Sequence, residues 1–299
     1  MAKKQGHESH SRAARPEKPP RGELAHLLKL GLNYARTAIQ ATHKSEAGLV
    51  VLLRARKILR GRGEFIFVSA MPKSGSTFLS RNIAQITGFD YEPMTYGFER
   101  NEQELYLPKL VDNYNRSTVT QQHTRATGPN LDLFSRFGIR PVILVRNIFD
   151  VIISIRDYLL KEGVAFFPSL YATEHFTTLP EDEQYDFLIT YAIPWYFNFY
   201  VSWFDATRDK RIEALWLAYE NLVVDWVAGI GAVLAFYEID HSEADIRSTV
   251  EMMQRRPADM RMNKGVVGRG QSGLNEAQRE RITAMKQYYP WVDFSLMGL

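Results

Sequence analysis

The chain has no cysteine among its 299 residues. That excludes disulfides, thiolate nucleophiles and cysteine-based metal centres, and it suits a reducing compartment, so a cytoplasmic location is expected. No apolar run reaches the roughly 18 residues of a membrane span, and no secretory leader pattern opens the sequence. Histidine, aspartate and glutamate do not cluster at ligand spacing, so no catalytic metal is expected. There is no internal repeat.

Net charge is also small, at +3, but it is unevenly placed. Residues 1–62 hold 14 Lys/Arg against 4 Asp/Glu, and the remainder holds 23 against 30. Residues 1–22 are poor in apolar side chains and are expected to be a disordered basic tail. Residues 23–62 read as a helical extension. Leu24, Leu27, Leu28, Ala35 and Ile39 fit one helical face, and a second run spans Leu49 to Leu59. This extension could lie on an anionic membrane surface, clamp a partner subunit in a homodimer, or cover the catalytic domain. A basic tail alone is a weak signal for nucleic acid, and none is expected as a partner. The remaining residues, 63–299, fit one sizeable α/β domain, with 45% hydrophobic content to fill its core.

The most informative stretch is Phe65 to Leu79. Phe65 to Val68 is an apolar run that reads as a buried strand. It breaks at Pro72, passes through Lys73, Ser74, Gly75, Ser76 and Thr77, and enters a helical pattern near Phe78. A strand, a small-residue loop with a lysine and a helix N-terminus make an anion site. Backbone N–H groups point into the loop, and the helix dipole favours negative charge. A nucleotide triphosphatase loop places its lysine after a second glycine. Here Lys73 precedes the only loop glycine.

A second strand, Pro141 to Val145, runs into Arg146, with Ser154 about two helical turns further on. An arginine and a hydroxyl at a strand's carboxyl end suit a phosphomonoester. Asn263 to Gly273 is glycine-rich and carries Lys264 and Arg269. It precedes a helix whose Asn275 and Gln278 form a potential capping box. His123 closes a run of strand character, Ser117 to Gln122, and its ordinary pKa suits general base work.

The sequence Pro-Lys-Ser-Gly-Ser-Thr at 72–77 resembles the 5′-phosphosulfate loop of sulfotransferases that use 3′-phosphoadenosine 5′-phosphosulfate (PAPS). The segment from Val145 through Arg146 and Asp150 to Ser154 is similar to that family's 3′-phosphate element. By this resemblance Arg146 and Ser154 hold the 3′-phosphate. Lys264 and Gly265 match a loop that closes over the nucleotide, and Asn263 stands where an arginine is usual, so Arg269 is expected to supply that charge. Tyr219, in Leu215 to Leu222, and Phe78 match positions that contact adenine. His123 matches the family's base, Gln121 stands at a usual lysine, and Glu92 is the rival base. Lys73 is expected to stabilise the transferred group.

The resemblance implies a three-layer, P-loop-like α/β fold with a central parallel sheet. Strands are expected near 65–70, 117–123, 140–145 and 214–219, with helices on both faces. It implies sulfuryl transfer from PAPS to a hydroxyl, or an amine, of a phenol, a lipid or polyketide alcohol, or a sugar. The rival readings are a small-molecule kinase using ATP and a non-catalytic nucleotide-binding scaffold. Residues 163–206 read as an insertion that shapes the acceptor pocket. Ten of the twenty residues from Tyr185 to Phe204 are aromatic, which helical periodicity would bury largely as core.

Overall fold

The computed structural model describes residues 46–96, 103–164, 172–255 and 266–299. The tail and most of the extension expected at its N-terminus lie outside these residues, as do Lys264 and Gly265. The chain forms two units, Met1–Leu59 and Arg60–Leu299. The described part of the first is helix α1 (Glu46–Arg60, its last residue in the second unit).

The second unit is built on strands β1 (Phe65–Ala70), β2 (Asp90–Tyr91), β3 (Thr118–Gln122), β4 (Pro141–Val145) and β5 (Leu215–Ala218). All pairings are parallel, in the order β2-β3-β1-β4-β5. Four of the five stand where strands are expected from the sequence. The fifth, β2, is two exposed residues and carries no sequence pattern.

β1 is buried along its whole length, so its six residues read as a continuous apolar run rather than an alternation. The alternation is nevertheless physical. Ile66, Val68 and Ala70 join Val119, Val142 and Leu144 in one core with Phe78, Leu79 and Ile83 of α2 (Ser76–Thr87). Phe67 faces the other layer, where its ring meets Phe134 at 4.9 Å, and Phe134 meets Trp203 at 5.6 Å. These two residues belong to α4 (Gly128–Phe137), which follows α3 (Leu107–Asn113), and to α8 (Ile193–Arg208). The three layers are thus helix, sheet, helix.

Between β4 and β5 run α5 (Ile148–Glu162), α6 (His175–Thr178), α7 (Glu181–Tyr191) and α8. Of the ten aromatic residues from Tyr185 to Phe204, six are buried, including Tyr196, Phe199 and Trp203, and only Tyr191 is exposed. The aromatic run is therefore mainly core. After β5 come α9 (Tyr219–Val224), α10 (Trp226–Phe236), α11 (Glu243–Gln254), α12 (Arg269–Gly273) and α13 (Glu276–Ala284). The predicted capping box opens α13: Asn275 Oδ1 accepts from the Gln278 N–H at 2.9 Å, and Gln278 Oε1 accepts from the Asn275 N–H at 3.2 Å.

The strand order has one consequence for chemistry. β1 lies between β3 and β4, so the chain leaves it in one direction and returns on both sides. That is the switch point at which open parallel sheets bind ligands, beyond the carboxyl ends of the strands.

Candidate active site

Three strand ends converge at the switch point. In the β1–β3 register Ser69 pairs with Gln122, which brings His123 level with Ala70. In the β1–β4 register Ala70 pairs with Leu144, so Arg146 is level with Pro72. Residues 50 to 75 positions apart in sequence thus meet because neighbouring parallel strands end together.

The loop after β1 is a left-handed turn. Lys73 has φ 69° and Gly75 φ 80°. Lysine in this region is uncommon and costs about 1 kcal/mol or more of backbone strain, so the surroundings must hold it. They do so at several points. Ser74 is buried, and its Oγ donates to Met71 O at 2.6 Å. Arg146 Nη1 donates to Lys73 O at 2.7 Å, and the Tyr196 hydroxyl donates to Pro72 O at 3.3 Å. Gly75 fits closely: a Cβ there would stand 2.9 Å from the Tyr219 ring and 3.5 Å from Trp226. Ser76 and Thr77 open α2, whose N-terminus receives no side-chain cap. Its first N–H groups therefore remain available to an anion.

The Lys73 ammonium lies 3.8 Å from the centre of the Tyr158 ring. Tyr158 stands one turn beyond Ser154 on α5, so a single helix face carries both. The i, i+4 spacing of Ser154 and Tyr158 is the sequence signal for this shared face.

Arg146 is 6% exposed and its guanidinium lies 4.2 Å from the Tyr219 ring centre. Its Nε is buried without a protein partner. A buried cationic donor left in this state beside an uncapped helix N-terminus fits an anionic ligand. Asn147 caps α5, accepting from Phe149 and Asp150 N–H. Asp150, four residues beyond Arg146 in the first turn of α5, does not pair with it. The Asp150 carboxylate instead accepts from Gly268 N–H and Gly270 N–H, both at 2.7 Å. Ser154 is buried on the same helix.

His123 Nδ1 is 2.8 Å from Ala70 O. A carbonyl only accepts, so Nδ1 carries the proton and Nε2 holds the lone pair. Burial drives the imidazole pKa down to about 4, the Ala70 bond opposes this, and the Lys73 charge lowers it further. The ring is therefore neutral near pH 7, with one basic nitrogen, and it feels the lysine of the loop. Gln103 secures it from behind. Its side-chain oxygen accepts the His123 N–H at 2.8 Å, and its own N–H donates to His123 O at 3.4 Å. No local pattern marks Gln103, which reaches the site only through the tertiary fold.

Three other sequence-predicted residues stand differently. No part of Phe78 is exposed, and its ring packs on Trp226 at 4.5 Å in the core. Arg269 is paired with Asp157 at 2.7 Å. Glu92 Oε1 lies 3.9 Å from the guanidinium of Arg116, which donates to Asp90 Oδ2 at 2.7 Å.

The sulfotransferase domain family matches residues 64–288. No curated relative matches the chain by sequence. Among solved structures, a mouse sulfotransferase, SULT7A1 complexed with PAP, superposes with a TM-score of 0.57 at 17% identity, covering 82% of this chain and 90% of its own. A retinol dehydratase in a complex with retinol and PAP gives a TM-score of 0.47 at 15% identity, covering 78% and 83%.

Proposed function

Because the chain belongs to the sulfotransferase family, we propose that it transfers a sulfuryl group from PAPS to a hydroxyl, or an amine, of a small acceptor. The observation that carries this reading is the convergence of Lys73, His123 and Arg146 at one switch point, with a buried guanidinium nitrogen left unpaired. A solved structure of the same fold holds PAP, the nucleotide product of such a transfer.

The residues divide the work. Backbone N–H groups of the 73–77 loop and the Ser76 and Thr77 hydroxyls bind the 5′-phosphosulfate. Arg146 and Ser154 bind the 3′-phosphate, and Lys264 and Gly265, which lie outside the described residues, are assigned to the nucleotide by the family resemblance. Tyr219, with Phe78 behind Trp226, supports the adenine. Arg269 acts here through Asp157.

Neutral His123 accepts the acceptor's hydroxyl proton at Nε2. The oxygen forms a bond to sulfur, and the bond from sulfur to the bridging phosphate oxygen breaks. The electron pair leaves on PAP, where Lys73 and the loop N–H groups stabilise it. Glu92 remains the rival base. PAPS supplies the activated sulfuryl group, and no metal enters this scheme. Phenols, lipid or polyketide alcohols and sugars are the acceptor classes to screen.

The test is calorimetric titration with PAP and with ATP, each with and without Mg²⁺. The reading predicts metal-independent binding of PAP that is lost in Arg146→Ala. A preference for Mg·ATP would point to a kinase, and no nucleotide binding would point to a scaffold.

A further inference from the structure

A carboxylate inside an anion site calls for a reason. Asp150 is 2% exposed, four residues before Ser154 on α5 and four after Arg146. Its charge would repel a phosphate unless it were otherwise engaged. Both of its oxygens are engaged, one by the Gly268 N–H and the other by the Gly270 N–H, each at 2.7 Å. Hydrogen bonds to an ionised acceptor are among the stronger ones available to a protein.

Residues 266–273 are tied down at further points. Arg269 pairs with Asp157, three residues beyond Ser154 on α5. Val266 O lies 3.5 Å from Arg146 Nη2. Gly270 has no room for a side chain, because a Cβ would stand 2.4 Å from Phe149 Cβ and 2.8 Å from Asp150 N. Two acids, four residues before Ser154 and three after it, therefore hold one strap against the helix face that presents Ser154. The same strap touches the guanidinium of Arg146.

We infer that Asp150 is a positioning residue for the 3′-phosphate: by holding the Gly268–Gly270 backbone on α5, it fixes the strap beside Arg146 and Ser154, and so sets the preference for a 3′-phosphorylated nucleotide. This rests on the sulfotransferase reading above. It assigns Asp150 no contact with the ligand. The effect falls mainly on the 3′ end of the nucleotide, since Ser74 and Tyr196 also hold the 73–77 loop.

The experiment compares two ligands that differ only in the 3′-phosphate, PAP and adenosine 5′-monophosphate, by calorimetry on the full chain. Asp150→Asn keeps the size of the side chain but replaces one acceptor with a donor. The expected result is a loss of about tenfold or more for PAP and little change for the monophosphate, because one charge-assisted pair is lost on the 3′ side alone. Gly270→Ala, which displaces the strap and leaves the Asp150 charge in place, is expected to show the same selective loss. It also decides the question should Asp150→Asn fail to fold.

Tighter PAP binding in Asp150→Asn would show that the carboxylate acts only as a repelling charge, and would overturn the inference. Equal losses for both ligands would overturn it too, by showing a general disturbance of the site. A wild-type chain that does not prefer PAP over the monophosphate would instead remove the nucleotide reading on which the inference stands.

Discussion

His123 donates through Nδ1 to the main-chain oxygen of Ala70, at 2.8 Å. The two residues are neighbours across parallel strands, 53 positions apart in the chain. This bond leaves Nε2 as the basic nitrogen, while burial holds the ring pKa at about 4.

The acid limb of the free enzyme's kcat/KM should follow. Catalysis by neutral His123 should persist as pH falls from 7 to about 5, and decline only towards pH 4, near the lowered pKa. A pH–rate profile with PAPS and an acceptor checks this. A limb centred near 6.5 would show that the ring is solvated in the working enzyme.

Stability should carry the same signature. Unfolded histidine takes up its proton near pH 6.5, whereas folded His123 resists until about 4. Between those values the unfolded chain binds more protons, so stability rises with pH. The contribution is fully present above pH 6.5 and is lost as pH falls to 4. It amounts to at most about 3 kcal/mol, and less if water reaches the ring. Denaturant melts of wild type and His123→Asn at pH 7 and pH 4.5 should show the gap between pH values shrinking in the variant.

Lys73→Met should separate binding from chemistry. The loop backbone, held by Arg146 and Ser74, remains, so PAP should bind within a few fold of wild type. Turnover should fall by about 100-fold or more, the usual cost of losing a donor to developing charge. Equal losses of affinity and turnover would argue against a role specific to the transition state.

Gly75→Ala should damage the site more than its size suggests. The residue has φ 80°, and the new Cβ would stand 2.9 Å from the Tyr219 ring. Backbone strain of about 1–2 kcal/mol adds to the displacement of Tyr219. PAP affinity should fall by about tenfold or more, measured by calorimetry. Ala at Gly88, which also has positive φ but nothing within 4 Å of its Cβ, should cost stability without this loss.

Arg146→Lys should not rescue Arg146→Ala. The guanidinium donates to Lys73 O and lies over Tyr219 while its Nε stays unpaired. A lysine ammonium cannot spread donors over that geometry. PAP affinity in the two variants should agree within a few fold.

Much of this protein is local in its sequence. The strand from Phe65, the loop from Pro72 to Thr77 and the capped helix from Asn275 each carry a signal set by residues a few positions apart, although distant partners complete the first two. Propensity, turn chemistry and caps act at that range, so these elements could be read directly. The positions of Arg146 and His123 were also legible, because the one follows an apolar run and the other a β-branched run, and each so stands at a strand's end.

What the tertiary structure decided was which of these ends meet. Strand order is set by packing two helical layers on one sheet, and no local pattern encodes it. Only that order brings Ala70 to His123, and Pro72 to Arg146. It also gave Asp150 to the glycine strap rather than to Arg146, committed Arg269 to Asp157, and enclosed Phe78 behind Trp226. A side chain's chemistry is its own, but its partner is chosen by the fold, because burial leaves each charge or ring only the neighbours that packing provides.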